Sequence, residues 1–132
     1  MIDFCLCCWS PLNGQERICP ACGCDLTFFS RLSIEEKYIL ALGHPVVDNK
    51  MIAVSMLGKS GSQRAIPRLE KILWSPETDY YLLAEVLNAL ASIRNPKCLE
   101  LIQMAAEKHP NRLISEKAGD VLRGLRDDGA PR

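Results

Sequence analysis

The sequence predicts a two-part protein: a small cysteine-rich module of β-hairpin knuckles over residues 1–30, then an all-α helical-repeat domain over residues 31–132. Three observations lead there. Six of the seven cysteines lie between positions 5 and 24, most of them in C-x-x-C pairs. From Ser33 onward the composition turns to Leu, Ala, Ile, Lys and Glu with breakers at intervals, and apolar residues recur at helical spacing. That second stretch also aligns with itself at offsets of 32 and 33 residues.

The module comes first in the chain. Residues 1–26 are rich in Cys, Pro and Gly and carry no helical period. Residues 27–32 (Thr-Phe-Phe-Ser-Arg-Leu) form a connector in which Phe28 and Phe29 are expected to be anchors. About six short helices follow. Ser33 with Glu36 makes a capping box, and Gly43 a C′ stop, so the first helix spans 34–42. Pro45 opens a second to about Lys59, its apolar face formed by Ile52, Ala53, Met56 and Leu57. Ser60-Gly61-Ser62 breaks the chain before a third helix, about Gln63 to Trp74, with Ile66, Leu69, Ile72 and Leu73 as its stripe. Ser75-Pro76 opens a fourth near 77–93. Asn95-Pro96 pairs an N-cap side chain with proline at the first helical position, starting a fifth that ends before Pro110. The sixth runs from about Arg112 to Arg126, and Gly129 and Pro131 close the chain. No period-2 pattern is sustained here, so no sheet is expected.

The self-alignment keeps apolar character at core positions. At an offset of 33, Ala53 falls on Val86, Leu57 on Leu90, Ala65 on Cys98, Ile66 on Leu99 and Leu69 on Ile102. At 32, Val86 falls on Ala118, Leu90 on Leu122 and Ile93 on Leu125. The breaks align as well, with Ser60-Gly61-Ser62 opposite Ile93-Arg94-Asn95. A pair of helices this short cannot bury its apolar face alone, so neighbouring pairs must bury it jointly. The residues Ala41-Leu42-Gly43-His44-Pro45, Lys50-x-x-Ala53-x-x-x-Leu57-Gly58 and Ala65-Ile66-Pro67-x-Leu69 make this stretch, about 38–125, resemble the HEAT-like repeats. The resemblance implies an α-solenoid, a right-handed stack of antiparallel helix pairs. Its second helices, 63–74 and 95–108, would line one face, and such proteins serve mostly as interaction surfaces. Leu83 and Ser115 stand where the family favours the basic residue present at Lys50.

Cys5-Leu6-Cys7-Cys8 and Cys19-Pro20-Ala21-Cys22 read C-x2-C, ten residues, C-x2-C. Two tight thiolate pairs suit a tetrahedral Zn²⁺, with Zn–S of about 2.3 Å. The ten residues between are expected to form a hairpin turning at Asn13-Gly14. A shift of 14 residues superposes Phe4 on Ile18, Cys5 on Cys19, Cys8 on Cys22 and Leu12 on Leu26. Cys7 then meets Ala21 and Cys24 meets Ser10, which leaves Cys7 and Cys24 outside the shared frame. Cys5, Cys8, Cys19 and Cys22 are therefore the candidate metal ligands. Cys7 and Cys24 are either bystander thiols or alternative ligands. Iron takes the same four thiolates, but no redox partner domain accompanies them, so zinc is expected. Residues 4–26 resemble the short zinc ribbons. One departure is Trp9, where that family prefers Gly to relieve backbone strain. Trp9 is expected to pack over the module as its small core.

With four thiolates the shell is closed, which points to a structural ion; a catalytic zinc keeps a position for water. An odd cysteine count in a chain expected to be cytoplasmic disfavours a disulfide framework. The amino terminus has no basic or apolar leader region, and the apolar runs fall far short of the roughly 20 residues needed to span a bilayer. Cys98 aligns with Ala65 and reads as a small buried hydrophobe, while His44 and His109, each before a proline, read as loop residues. Lys97 with Glu100, Arg112 with Glu116 and Asp120 with Arg123 read as solvated helix-face pairs. No acid–base couple, phosphate loop or nucleophile motif is evident.

Arg64, Arg68 and Lys71 form one basic stripe, and Lys97 is the repeat partner of Arg64. That stripe is a candidate surface for an acidic partner peptide. Sixteen basic residues balance sixteen acidic ones, and residues 1–30 hold Arg17 as their one cation. The expected function is therefore a non-catalytic protein-binding adaptor with a structural zinc site. Nucleic-acid binding through the ribbon is the alternative, and an enzyme or chaperone-like factor a more distant third.

Overall fold

The computed structural model describes residues 3–5, 7–76 and 79–129. The start expected for the fourth helix at residue 77, and Pro131, lie outside them, as does the side chain of Phe29. Among the described residues, six α-helices follow a small Cys-rich module. They are α1 (Ile34–Ala41), α2 (Val47–Ser60), α3 (Ile66–Leu73), α4 (Tyr80–Ile93), α5 (Pro96–Lys108) and α6 (Arg112–Gly129).

The helix ends follow their capping chemistry. Ser33 Oγ accepts the Glu36 amide at 3.1 Å and Glu36 Oε1 accepts the Ser33 amide at 3.1 Å, completing the capping box of α1. Asn95 Oδ1 accepts the Lys97 amide at 2.6 Å, ahead of Pro96. The fourth helix begins at Tyr80 because Asp79 is its cap, accepting the Tyr81 and Leu82 amides. Gly43 is not a left-handed stop. α1 closes instead with tighter bonds from the Gly43 and His44 amides to the Leu40 and Ala41 carbonyls.

α2 packs most extensively on α4, α4 also packs on α6, and α5 pairs with α6. One core runs through them, including Ala53, Val54, Leu57, Leu69, Leu73, Val86, Leu87, Leu90, Leu101, Ile102, Ile114 and Ala118. Two helix ends share one backbone conformation. Gly61 ends α2 at φ 70°, and 33 residues later Arg94 ends α4 at φ 59°. Both sit in the left-handed region, where a side chain costs roughly 1 kcal/mol that glycine avoids. Arg94→Gly is accordingly expected to stabilise the fold by about 1 kcal/mol, or roughly 4–8 °C in Tm for a domain of this size. Thermal denaturation checks this, and an unchanged or lower Tm contradicts the assignment of strain.

The buried face of α2 differs from the expected one. Ala53, Val54, Leu57 and Gly58 are buried, while Ile52 is 56% and Met56 38% exposed. The i, i+1, i+4, i+5 pattern holds but is rotated by one residue. Gly58 causes the rotation: a Cβ built on it would lie 2.8 Å from both Cα and Cβ of Ala89. The α2–α4 crossing is this tight, and hydropathy gives glycine no credit for it. Leu99, matched with buried Ile66 in the self-alignment, is 39% exposed.

Candidate metal centre

Two short hairpins build the cysteine module. β1 (Asp3–Phe4) pairs antiparallel with β2 (Pro11–Leu12) across the first knuckle, and Ile18 bridges Asp25 across the second. Each knuckle therefore carries its own antiparallel pairing, a two-residue ladder in the first and a single bridge in the second. The expected single hairpin turning at Asn13-Gly14 is replaced by a link between two knuckles, in which Asn13 Oδ1 accepts the Gln15 amide at 2.9 Å and Gly14 has φ 91°.

Two backbone hydrogen bonds of the first knuckle recur in the second. The Trp9 amide donates to the Cys5 carbonyl at 2.7 Å and the Gly23 amide to the Cys19 carbonyl at 2.9 Å. The Cys5 amide donates to the Ser10 carbonyl at 3.0 Å and the Cys19 amide to the Cys24 carbonyl at 2.9 Å. Trp9 and Gly23 adopt φ 64° and 79°. Trp9 thus makes the tight turn that the sequence placed at issue, in a conformation glycine takes without strain.

This geometry brings Cys5, Cys8, Cys19 and Cys22 together. Their sulfurs all lie within 4.8 Å of one another. Cys5 Sγ is 3.7 Å from Cys22 Sγ and Cys8 Sγ is 3.6 Å from Cys19 Sγ. A regular tetrahedron of sulfurs about 2.3 Å from a central ion has edges of about 3.8 Å, so the donors fit zinc in number, chemistry and spacing. Cys5 and Cys19 are buried with Leu12, and Cys24 and Leu26 pack on them. So small an interior needs a further staple.

The thiols hold their protons unevenly. The Ser10 hydroxyl, 3.2 Å from Cys8 Sγ, and the Ser10 backbone lower the Cys8 pKa to about 6. The Cys24 backbone draws Cys22 down, but desolvation and the sulfurs of Cys8, Cys5 and Cys19 outweigh it and push Cys22 up to about 12.

Cys7 and Cys24 are joined in a disulfide that crosses from one knuckle to the other. They are neither bystander thiols nor members of the four-sulfur set here. The 14-residue frame had excluded them from that set but carried no signal that they would meet.

Trp9 does not form the module's core. Its ring lies 4.7 Å from that of His44, and the Phe4 ring meets the same imidazole edge-on at 4.8 Å. Phe28, expected as an anchor, is 55% exposed. The module therefore meets the helices through Phe4, Trp9 and the α1–α2 turn. His44 is buried there, its Nδ1 accepting the Val46 amide at 3.0 Å and its Nε2 3.2 Å from the Asn49 side-chain amide. His109, 65 residues on, repeats the arrangement: Nδ1 accepts the Asn111 amide at 3.1 Å, Nε2 lies 2.7 Å from the Leu73 carbonyl, and Trp74 stacks on the ring at 5.1 Å. Both histidines lie in the loops between helices, as expected, and both are buried there. The His-Pro dipeptide shared by both positions was the available signal.

Burial, and then the Lys50 charge, hold the His44 pKa below 6.5. The unfolded chain takes up this proton more readily. Stability tied to the neutral ring is complete above about pH 6.5 and is lost as pH falls from there toward the folded value. An NMR titration is expected to place His44 below 6.5; a midpoint at or above it contradicts the buried neutral ring.

Of the basic stripe, Arg64 pairs with Glu35 at 3.2 Å and Lys97 with Glu70 at 3.9 Å. Lys97 thus reaches across to α3 instead of pairing with Glu100. Arg68 and Lys71 are exposed on α3 and make no ion pair among the described residues. Arg112–Glu116 and Asp120–Arg123 pair as expected. Cys98 is buried, and burial raises its thiol pKa, which suits a packing role. Met51, Ile52, Ser55, Met56, Lys59 and Glu85 line an apolar surface cleft between α2 and α4. Among the described residues no helix is long and apolar enough to cross a membrane. The chain matches no protein-family model, no curated protein and no solved structure.

Proposed function

We propose that this protein is a non-catalytic adaptor: a structural zinc module of the ribbon kind that caps a HEAT-like helical scaffold and leaves one face of that scaffold to a protein partner. The observation that carries this reading is the set of four cysteine sulfurs within 4.8 Å of one another. Four thiolates complete a tetrahedral shell and leave no position for substrate or activated water, so the ion's work is folding. Once held, the module presents Phe4 and Trp9 to His44 in the α1–α2 turn. That contact suits a cap, which a short repeat array needs at its end.

The partner surface follows from charge. Glu35 and Glu70 already engage Arg64 and Lys97, so Arg68 and Lys71 on α3 are the cations left to meet an acidic segment of the partner. Proximity-independent capture with the full zinc-loaded chain tests this. The expected result is a saturable protein partner whose recovery falls at least tenfold with Arg68→Glu/Lys71→Glu at unchanged Tm. A partner retained in full by that variant removes the charged face from the account. Recovery of nucleic acid in its place, with salt-dependent affinity, overturns the adaptor reading.

A further inference from the structure

We infer that Cys5, Cys7 and Cys24 form a second thiolate site, opened by reduction of the Cys7–Cys24 disulfide, that takes one thiophilic divalent ion and shares the Cys5 sulfur with the first centre. The inference rests on the proposed metal reading of the four-cysteine set.

The sulfurs of Cys5, Cys7 and Cys24 all lie within 4.8 Å of one another, so Cys5 is a corner of both groups. The Cys7 amide donates to Cys5 Sγ at 3.4 Å, which turns Cys7 back over the same sulfur. A thiolate bound to one ion keeps lone pairs for another, so a shared corner is chemically available. The second set is one-sided. Under the 14-residue shift relating the knuckles, Cys7 and Cys24 correspond to Ala21 and Ser10, which offer no thiolate. Cys7 is exposed and Cys24 half-buried, so the ion has a path in and solvent can complete its shell. Three soft donors in this arrangement select a soft ion over magnesium or calcium.

The gate is covalent. In the disulfide, Cys7 and Cys24 share the electron pair of the S–S bond and only Cys5 remains as a thiolate donor. A dithiol reductant delivers two electrons and two protons, is itself oxidised to a disulfide, and leaves two thiols. The divalent ion then bonds both sulfurs and releases two protons. Two thiolate charges against one divalent ion leave the module's net charge unchanged, so the second ion adds no repulsion beyond that of the first centre.

Native mass spectrometry of the full chain titrated with Cd²⁺ tests the inference. The disulfide form carries five free thiols, Cys5, Cys8, Cys19, Cys22 and Cys98, and is expected to bind one Cd²⁺. For the reduced form a phosphine serves as reductant: it becomes the phosphine oxide, with water supplying the oxygen and both thiol protons. Reduced chain is expected to bind two Cd²⁺, and Cys7→Ser/Cys24→Ser one under either condition. A reduced chain that still binds one overturns the second site while leaving the first intact. Two ions on the disulfide form overturn the gate, and two on the double variant place the extra ion elsewhere. No ion on the disulfide form overturns the four-cysteine centre itself, and the shared site with it.

Discussion

Removing the metal under reducing conditions is expected to unfold residues 3–26 and leave α2–α6 in place. The magnitudes set the outcome. A structural zinc site of this kind contributes roughly 10–16 kcal/mol of apparent binding free energy at neutral pH, and that free energy is folding free energy for a segment with so little core. The Cys7–Cys24 bridge spans 17 residues of sequence and offers only about 3 kcal/mol by loop closure. Among the described residues, the buried apolar side chains of the module are Cys5, Leu12 and Cys19. With the bridge reduced, nothing remaining replaces the ion. Cys19→Ser should act in the same direction, weakening metal binding by more than the roughly 100-fold that changes outside the ligand shell produce. Two-dimensional NMR reads both results. Amide signals of residues 3–26 should collapse to random-coil positions, and His44 should respond because it loses the cover of Phe4 and Trp9. Retained dispersion of the module after chelation and reduction contradicts the account.

The second large effect lies at the α2–α4 crossing. Gly58→Leu is expected to destabilise the helical domain by about 3 kcal/mol or more. The first added carbon already meets the Ala89 backbone at 2.8 Å, and a backbone atom cannot rotate away. Overpacking of this kind costs roughly 1–3 kcal/mol even where side chains can yield. Better helix propensity than glycine returns only about 1 kcal/mol. Gly124 in α6 is the matched control, because a Cβ there meets nothing within 4 Å. Gly124→Ala should therefore stabilise by up to about 1 kcal/mol. Chemical denaturation of both variants separates the close approach from general intolerance of substitution. A neutral Gly58→Leu shows that the two helices stand further apart than described here.

These two sites also mark what was legible in the sequence. The clustering of Cys5, Cys8, Cys19 and Cys22 follows from C-x2-C spacing and the 14-residue pseudo-repeat, since a knuckle turn is local and its partners lie three residues apart. Helix boundaries at Ser33, Gly61 and Asn95 were equally local, fixed by capping side chains and a left-handed stop. The buried face of α2 was not legible. Ile52 and Met56 outrank Val54 and Gly58 in bulk, but the α4 backbone selects the smallest residue at the crossing. Long-range pairings were also hidden. The Cys7–Cys24 bridge, the seat of Trp9 on His44, and the Glu70–Lys97 pair each depend on where distant segments arrive, which no periodicity encodes. The two His-Pro turns lay between these cases. Their positions were plain, and their burial needed the tryptophans that cover them.

X-ray absorption at the zinc edge on the purified chain tests the central claim most directly. Four cysteine sulfurs on one ion predict a single shell of four sulfur scatterers at about 2.3 Å. A shell containing nitrogen or oxygen, fewer than four sulfurs, or no bound metal in the folded chain contradicts it.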